Sequence, residues 1–211
     1  MLKKYKAVVF DFDDTLVSTM GPKWAHHKAT AQRFYNHTIT DDDLKKHYGL
    51  PYDELVKNIY KVPDTIENIK EKIWEIKDEF PKILKKNAVQ LVQSLIQDQK
   101  LVGIITATSR RSIDFDLIRL GFPVEEISFV QSSDDTDFHK PDPRVFEPAL
   151  KILSDHHISK EEWVYIGDAE RDYRAAENAG IDFIGVTHGL STIDDFKSWN
   201  VPYVEWLSDL L

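Results

Sequence analysis

The chain has 211 residues, of which 42% are hydrophobic and 30% are charged, and its formal net charge is −9. This composition suits one globular unit or a core domain with a modest insertion, and it gives no electrostatic footprint for nucleic acid or an anionic membrane. An anionic substrate is still compatible with this charge, because a bound cation can reverse its sign locally. There is no cysteine, which excludes disulfides and thiolate chemistry.

The N-terminal segment MLKKYKAVVFDFDD does not have the pattern of a secretory signal. Its apolar run is too short, and acidic residues interrupt it. No stretch of the chain approaches the ~20 apolar residues of a membrane span. We therefore expect a cytoplasmic protein whose partners include neither nucleic acid nor a membrane.

Five short apolar runs predict the buried strands of a parallel sheet. Each run is rich in β-forming residues and nearly continuous rather than alternating, as expected when helices cover both faces of a sheet. In chain order the runs are AVVFDF (7–12), LVGIIT (101–106), ISFVQS (127–132), WVYIGD (163–168) and DFIGVT (182–187).

Helical patterns separate the last four of these runs. They are SRRSIDFDLIRLG, PRVFEPALKILSDH and ERDYRAAENAG. Gly180 is expected to cap the third helix at its C-terminus, and Pro148 predicts that the second helix is kinked there or begins later. The alternation of strands and helices predicts an α/β domain with a Rossmann-like, doubly wound parallel sheet.

The segment from about residue 17 to about residue 85 contains helical patterns only. They are PKWAHHKATAQRFYNH, DDDLKKHYG, PYDELVKNIYK and a long pattern from Thr65 to about Lys85. Turn signals separate them at Gly49-Leu50-Pro51 and Val62-Pro63. This segment therefore predicts a helical insertion after the first strand of the sheet.

The predicted domain organisation is an α/β core with an inserted α-helical cap. The core comprises residues 1–17 and 86–211, and the cap comprises residues 18–85. We expect hinges at Gly21-Pro22 and within the segment 81–87. The tail after residue 190, which holds Trp199 and Trp206, is expected to pack on the core.

Polar groups follow the predicted strands at the point where each strand ends. The first strand delivers Asp11 and Asp13, the second ends at Thr106, and the fourth ends at Asp168. Lys140 lies just beyond the third strand, and Asp172 comes one helical turn after Asp168. In open α/β sheets, ligands bind outside the carboxyl ends of the strands. We therefore expect all these groups to gather at one edge of the sheet.

This gathering predicts a site for Mg²⁺ and a phosphoryl group. Mg²⁺ prefers oxygen ligands and commonly shares them with substrate phosphate and water. The ion would offset the repulsion between Asp11 and Asp168. Lys140 would hold the phosphoryl oxygens as a point charge, and Thr106 would donate a hydrogen bond to the same group.

Four motifs in this order resemble those of the haloacid dehalogenase superfamily. They are Asp11-Phe12-Asp13-Asp14-Thr15, Thr106 at the end of a hydrophobic strand, Lys140 before Pro141, and the run from Gly167 to Asp172. The resemblance extends from about Lys6 to Gly189. A helical insertion between the first two motifs is similar to the first cap type of that family, in the branch of phosphoglycolate phosphatases and beta-phosphoglucomutases.

The resemblance implies a role for each matching residue. Asp11 is expected to be the nucleophile that forms an aspartyl-phosphate, and Asp13 the general acid to the leaving oxygen and then the base for water. Mg²⁺ is expected to bind the side chains of Asp11 and Asp168 and the backbone carbonyl of Asp13. Asp172 is expected to support this ligand set, directly or through water. Aspartate is a known covalent acceptor in phosphoryl transfer, and a second carboxylate suits proton transfer.

Three residues distinguish this chain from parts of the family. Dehalogenases lack an acid at the position of Asp13, because a halide leaves without a proton, so dehalogenation is not expected. Ala107 stands where related phosphatases often carry Asn, and Ala169 stands where Ser or Thr is common. Each change removes a hydrogen bond to substrate or to the metal ligands, and neither touches the minimal catalytic set.

Each of these positions also has a purely structural interpretation. Aspartates after a strand favour turns, a threonine that ends a strand is an ordinary β-former, and acids at a helix start act as caps. A lysine before proline can be a solvated loop residue. Four motifs in order, each at a strand end, favour the functional interpretation.

Three histidines of the cap segment, His26, His27 and His37, could suggest a metal cluster. Neighbouring helical residues point about 100° apart, so His26 and His27 cannot chelate one ion from one face, and we interpret all three as surface residues. Lys23, His26 and Arg33 are the cap residues that we first expect to touch substrate. A solvated basic face explains these three residues equally well.

The sequence therefore predicts a Mg²⁺-dependent phosphatase that acts on a small phosphorylated metabolite. Phosphoglycolate, sugar phosphates and nucleoside monophosphates are all candidate substrates, and a monomer and a dimer are both open. One alternative is a sugar phosphomutase, which resembles this chain less because Lys23 and Leu50-Pro51-Tyr52 stand where such mutases carry a histidine and an arginine. The other is a protein that binds phosphorylated ligands without turnover, which the intact set of motif residues disfavours.

Overall fold

The computed structural model describes residues 1–47, 50 and 52–211. It divides the chain into two compact units. One comprises Met1–Ser18 and Ile83–Leu211, and the other comprises Thr19–Lys82. The inserted unit thus comprises residues 19–82, whereas the bounds predicted from the sequence are 18–85. Its role as a cap stays a prediction.

The inserted unit is built from helices. They are α1 (Met20–Tyr35), α2 (Asp41–His47), α3 (Tyr52–Tyr60) and α4 (Ile66–Glu75). Their apolar faces meet in one cluster that includes Ala31, Val56 and Ile69. Helix α4 begins where Thr65 caps it, since the Thr65 side chain accepts a hydrogen bond from the backbone N–H of Asn68 at 3.2 Å.

The fourth helix is shorter than the sequence predicted, because it ends at Glu75 and not near Lys85. A single 3₁₀ turn follows at Lys77–Glu79. Pro81 cannot continue a helix interior, since it has no backbone N–H to donate and its ring obstructs the preceding turn. The turn predicted around Leu50 involves Gly49 and Pro51, which lie outside the described residues. The predicted hinge at Gly21-Pro22 lies within the first turn of α1.

The other unit contains a six-stranded parallel sheet and a separate antiparallel pair of short strands. The strands are β1 (Ala7–Phe10), β2 (Val17–Ser18), β3 (Ile83–Leu84), β4 (Leu101–Ile105), β5 (Phe129–Gln131), β6 (Trp163–Gly167), β7 (Asp182–Val186) and β8 (Tyr203–Val204). The sheet order is β5-β4-β1-β6-β7-β8, and β2 pairs with β3. The helices of this unit are α5 (Ala88–Gln97), α6 (Arg110–Arg119), α7 (Glu147–Asp155), α8 (Glu170–Ala179) and α9 (Ile193–Ser198).

Strand β1 lies at the centre of the sheet and is buried on both faces. Val8 and Phe10 pack into one apolar cluster, while Ala7 and Val9 pack into the cluster on the opposite face. This alternation explains why the first strand is a continuous apolar run. The fold class predicted from the sequence, a doubly wound parallel sheet, is confirmed.

The order of the strands places a switch point at β1. The chain builds β4 and β5 on one side of β1, and then crosses to the other side to build β6, β7 and β8. Ligands of doubly wound sheets bind in the crevice that this reversal opens at the carboxyl ends of the strands. A ligand site is therefore expected at the carboxyl ends of β1, β4 and β6.

Several local predictions in this unit have clear outcomes. Gly180 ends α8 in the left-handed region with φ 69°, and α7 begins at Glu147 after a 3₁₀ turn, so that Pro148 lies in its first turn. The tail adds strand β8, which the sequence did not predict because it has two residues only. The tail packs on the core as predicted, through residues such as Phe196, Val204 and Leu207, and Trp199 stacks on Tyr173, whereas Trp206 is 58% exposed.

Among the described residues, no helix combines the length and the apolar character that a membrane span requires.

Candidate active site

Asp11 is the first residue after β1, and the sheet itself fixes its backbone. Its N–H donates to the carbonyl of Ile166 on β6 at 2.8 Å, so Asp11 extends the pairing of the two strands by one hydrogen bond. The residue is only 5% exposed. A carboxylate in this position loses water and needs a compensating cation or a proton.

Asp168 follows β6 and is held by groups from two other segments. Its Oδ1 accepts a hydrogen bond from the Thr15 hydroxyl at 3.2 Å, and its Oδ2 accepts one from the backbone N–H of Leu190 at 2.7 Å. Gly189 passes so close that an added Cβ would lie 2.1 Å from Oδ2 of Asp168, so only glycine fits there. The loop after β7 thus fixes the orientation of this carboxylate.

Asp172 lies in the first turn of α8 and is 1% exposed. Its Oδ2 accepts a hydrogen bond from the backbone N–H of Ala169 at 3.1 Å, which caps the helix. Gly167 makes room for the side chain, since an added Cβ would lie 2.6 Å from the Cβ of Asp172. The capping bond leaves Oδ1 directed at the ammonium group described next.

Lys140 places a buried cation among these carboxylates. Its Nζ donates to Oδ1 of Asp11 at 2.6 Å, to Oδ1 of Asp172 at 2.7 Å and to the hydroxyl of Tyr165 at 2.7 Å. These three acceptors use all three protons of the ammonium. The lysine side chain is 5% exposed, so water screens the charge interactions little.

The site contains more negative than positive charge. One oxygen each of Asp11, Asp168 and Asp172 lie within 4.8 Å of one another. Burial raises the pKa of Asp11, and although Lys140 lowers it, the neighbouring carboxylates add to the rise, so the pKa of Asp11 lies well above its ordinary value. Burial alone would lower the pKa of Lys140, but Asp11 and Asp172 outweigh it and hold the pKa well above its ordinary value. This group of carboxylates could hold a metal ion.

Asp13 lies beside β4 and receives two hydroxyl groups on one oxygen. The Thr106 hydroxyl donates to Oδ2 of Asp13 at 3.2 Å, and the Thr108 hydroxyl donates to the same atom at 2.6 Å. Asp14, the next residue, has φ 58° and so adopts the left-handed conformation that turns use. The Asp13 side chain thus contacts the end of β4, and its negative charge contributes to the raised pKa of Asp11.

We predict that the metal-free protein loses stability as the pH rises from about 4 to 7, and that Asp168→Asn reduces this loss. Burial and the nearby Asp172 raise the pKa of Asp168 from 3.8 to about 7. The folded state therefore holds a proton that the unfolded state releases, and this advantage disappears as the pH approaches 7. The neutral amide needs no proton, so the variant should melt at a higher temperature than the wild type at pH 8 in EDTA.

Thermal unfolding in EDTA and in Mg²⁺ checks this prediction. The wild type should gain stability from Mg²⁺ at pH 8, and the variant should gain much less, because it has lost a negatively charged ligand. A wild-type melting temperature in EDTA that stays level or rises between pH 5 and pH 8 would contradict it.

The structure brings the sequence-predicted residues to the carboxyl ends of neighbouring strands. Asp11, Asp168, Asp172 and Lys140 form one hydrogen-bonded or closely spaced group, and Thr106 is joined to Asp13. Their catalytic and metal-binding roles are not settled by this geometry and stay predictions.

Sequence reasoning missed three contributors to the site. They are the Tyr165 hydroxyl, the Thr108 hydroxyl and the loop at Gly189 and Leu190. Tyr165 was visible in the run WVYIGD as a polar tip inside a buried strand. Thr108 follows Thr106 by two residues, but nothing in the sequence shows that its side chain turns back to Asp13.

The interpretation of the cap histidines as surface residues is wrong for His27. This residue is 1% exposed, and its Nδ1 lies 3.1 Å from the Tyr60 hydroxyl within the apolar cluster of the inserted unit. His26 and His37 are half-buried and bond to backbone carbonyls. Arg33, which was predicted to touch substrate, makes a bidentate ion pair with Glu79.

Comparisons with known proteins agree with this arrangement. The family model of the haloacid dehalogenase-like hydrolases matches residues 8–186. The pyrophosphatase PpaX of Bacillus mycoides (strain KBAB4) is 25% identical over 211 residues, which cover 99% of this chain and 96% of that protein.

Two solved structures extend the likeness to the whole fold. A proposed haloacid dehalogenase-like hydrolase from Bacteroides fragilis is 27% identical with a TM-score of 0.77, and the match covers 99% of this chain and 100% of that one. A proposed beta-phosphoglucomutase from Thermotoga maritima is 22% identical with a TM-score of 0.78, covering 98% and 96%. At this lower identity the likeness shows the fold alone.

Proposed function

The chain belongs to the haloacid dehalogenase-like hydrolases, and we propose that it is a Mg²⁺-dependent phosphatase that hydrolyses small phosphomonoesters through a phosphorylated aspartate. That it is an enzyme of the phosphatase type follows from the family and from its phosphatase-named relatives. The proposal of a Mg²⁺-dependent covalent mechanism rests on one observation. Lys140 forms buried ion pairs with Asp11 and Asp172, close to Asp168, at the switch point of the sheet.

The donor atoms of the site fit Mg²⁺. Three buried carboxylates of like charge need a cation, and the cluster contains oxygen donors only, which is the chemistry that Mg²⁺ selects. We propose that the side chains of Asp11 and Asp168 and the backbone carbonyl of Asp13 bind the ion, with Asp172 supporting them. When bound, the ion would supply positive charge that polarises the phosphoryl oxygens.

Lys140 and Thr106 would hold the phosphoryl group against Asp11. The ammonium already lies 2.6 Å from the nucleophilic carboxylate, so phosphoryl oxygens that approach Asp11 meet the positive charge at once. The Thr106 hydroxyl lies at the end of β4, next to β1 in the sheet. This placement supports orientation and charge stabilisation of the transferring group.

The proposed reaction has two steps. In the first, a carboxylate oxygen of Asp11 bonds to phosphorus, the bond from phosphorus to the leaving oxygen breaks, and Asp13 gives its proton to that oxygen. In the second, Asp13 takes a proton from water, the water oxygen bonds to phosphorus, and the bond to Asp11 breaks. Phosphate and an alcohol are released, and both aspartates return to their starting states.

We propose that the helical unit Thr19–Lys82 acts as the cap that selects the substrate. Its arginine at position 33 is engaged by Glu79 through both terminal nitrogens, which favours a structural role for that residue. Lys23 and His26 stay candidates for substrate contact, although Lys23 lies over the Tyr52 ring and His26 bonds to the carbonyl of Ile73 at 2.7 Å.

Phosphate release from a panel of small phosphates, with Mg²⁺ and with EDTA, tests the proposed function. The panel includes phosphoglycolate, sugar phosphates and nucleoside monophosphates, and the name of the Bacillus mycoides relative adds inorganic pyrophosphate. We expect release that requires Mg²⁺ and that depends strongly on the compound. Interconversion of sugar phosphates without net release would instead identify a mutase, and binding without either reaction would identify a non-catalytic binder.

A further inference from the structure

The hydroxyl groups of Thr106 and Thr108 both donate hydrogen bonds to Asp13, and the bond from Thr108 is the shorter of the two. Oγ1 of Thr108 donates to Oδ2 of Asp13 at 2.6 Å, against 3.2 Å from Thr106. The N-cap residue of helix α6 is Ser109, so Thr108 lies just outside the helix.

The backbone of this segment is fixed on both sides of the contact. The N–H of Thr108 donates to the hydroxyl oxygen of Thr106 at 3.1 Å, and the carbonyl of Thr108 accepts from the N–H of Ser133 at 3.0 Å. The Thr106 hydroxyl has a single hydrogen, which donates to Asp13 in this structure and is the one proposed to turn to the phosphoryl group of a substrate. The Thr108 hydroxyl then remains as the donor to Oδ2 of Asp13.

The hydrogen bond from Thr108 also bears on which oxygen of Asp13 carries the acid proton. An oxygen that accepts a hydroxyl hydrogen at 2.6 Å is a poorer site for this proton than the other oxygen of the same carboxyl group. A protonated Asp13 is therefore expected to hold its proton on Oδ1. The same bond restricts rotation of the carboxyl group about the Cβ–Cγ bond and so orients Oδ1.

We propose that Thr108 is a positioning residue that orients Asp13 for proton transfer to the leaving oxygen. This inference rests on the proposed function, in which Asp13 is the proton donor. The substrate transfers its phosphoryl group to Asp11 while the proton moves from Oδ1 of Asp13 to the departing oxygen. A carboxyl group that turns freely presents this proton in the right direction for only part of the time.

The consequence depends on how basic the leaving oxygen is. Phenyl phosphate and 4-nitrophenyl phosphate have similar shapes, but the phenolate of the first is the more basic and needs the proton more. We expect Thr108→Val, which keeps the shape of the side chain, to lower kcat/KM about tenfold more for phenyl phosphate than for 4-nitrophenyl phosphate. The ratio kcat/KM is the right quantity, because it covers the steps up to departure of the leaving group.

Two variants serve as matched controls. Thr108→Ser keeps the hydroxyl and should keep the wild-type ratio between the two substrates. Ser109→Ala removes a hydroxyl from the next residue, which contacts Ser112 and not Asp13, and should leave both rates near wild type. If Thr108→Val does not fold, Thr108→Ala is measured in its place and must show the same selective loss.

Two results would overturn the inference while leaving the proposed function intact. One is an equal loss on both substrates, which would mean that Thr108 acts on the structure or on phosphoryl binding. The other is no loss at all. A wild-type protein that releases phosphate from no compound with Mg²⁺ would overturn the proposed function, and this inference with it.

Discussion

Asp11→Asn should reduce Mg²⁺-dependent phosphate release by about 10⁴-fold or more while the protein stays folded. The amide cannot form the bond to phosphorus, and removal of a covalent nucleophile has effects of this order in enzymes that act through one. The fold should survive, because an amide in this buried position has no charge to desolvate, and the backbone bond from residue 11 to Ile166 is unaffected. Steady-state phosphate release and thermal unfolding of the same preparation measure both expectations.

Loss of activity alone does not show whether Asp11 acts as the nucleophile or as a metal ligand, since it is proposed as both. Trapping the phosphorylated intermediate distinguishes the two roles. Wild-type protein quenched in acid during turnover should carry a phosphoryl group on Asp11 that hydroxylamine removes, and mass spectrometry of the peptide locates it. Asp168→Asn is the matched control, because it removes a proposed metal ligand and keeps the nucleophile. Turnover by Asp11→Asn at more than about a hundredth of the wild-type rate would contradict the covalent mechanism.

The sheet was predictable from the sequence because each of its longer strands is buried on both faces. Runs such as AVVF and WVYIG have no polar side to alternate with, so their apolar continuity identifies them directly. Strand β8 and the pair β2 and β3 have two residues each, which is too short for any period to show. The end of α4 was misplaced because apolar residues continue past Glu75, and the pattern gives no warning that the chain leaves the helix there.

The candidate site was predictable to the extent that topology alone gathers it. Any residue at the carboxyl end of β1, β4 or β6 must lie near the switch point, so Asp11, Thr106 and Asp168 could be placed without coordinates. Side-chain direction is a different matter. The contacts of Thr108 with Asp13 and of Tyr165 with Lys140 depend on rotamers and on loop paths that no period in the sequence encodes.

For His27, a valid argument about helix geometry led to a wrong prediction of burial. The residue was expected at the surface but is buried. Adjacent helical residues do point in different directions, which is why His26 and His27 do not share one ligand position. The same divergence turns His27 into the apolar cluster of the helical unit, beside Tyr60. Burial lowers the pKa of His27 well below its ordinary value, so it is a neutral core residue.

Lys140→Met should destabilise the metal-free protein by about 3–5 kcal/mol at pH 8. The substitution removes the buried cation that Asp11 and Asp172 share and leaves two carboxylates facing an apolar chain. The loss should be smaller at pH 5. The pKa of Asp11 already lies above its ordinary value and rises further without the lysine, so the folded variant takes up a proton that the unfolded chain binds less well. Stability of the variant should therefore fall as the pH rises through this folded-state pKa.

Urea unfolding of the wild type and the variant at pH 5 and pH 8, in EDTA and in Mg²⁺, measures these differences. Lys100→Met is the matched control, because Lys100 donates at 2.6 Å to the carbonyl of Tyr5 and not to a carboxylate, so its loss should not depend on pH in this range. Mg²⁺ should restore part of the stability of Lys140→Met, since the ion supplies to the carboxylates the positive charge that the variant lacks. A Lys140→Met variant as stable as the wild type at pH 8 in EDTA would mean that the carboxylates are protonated there, and that the lysine does not hold the charge of the site.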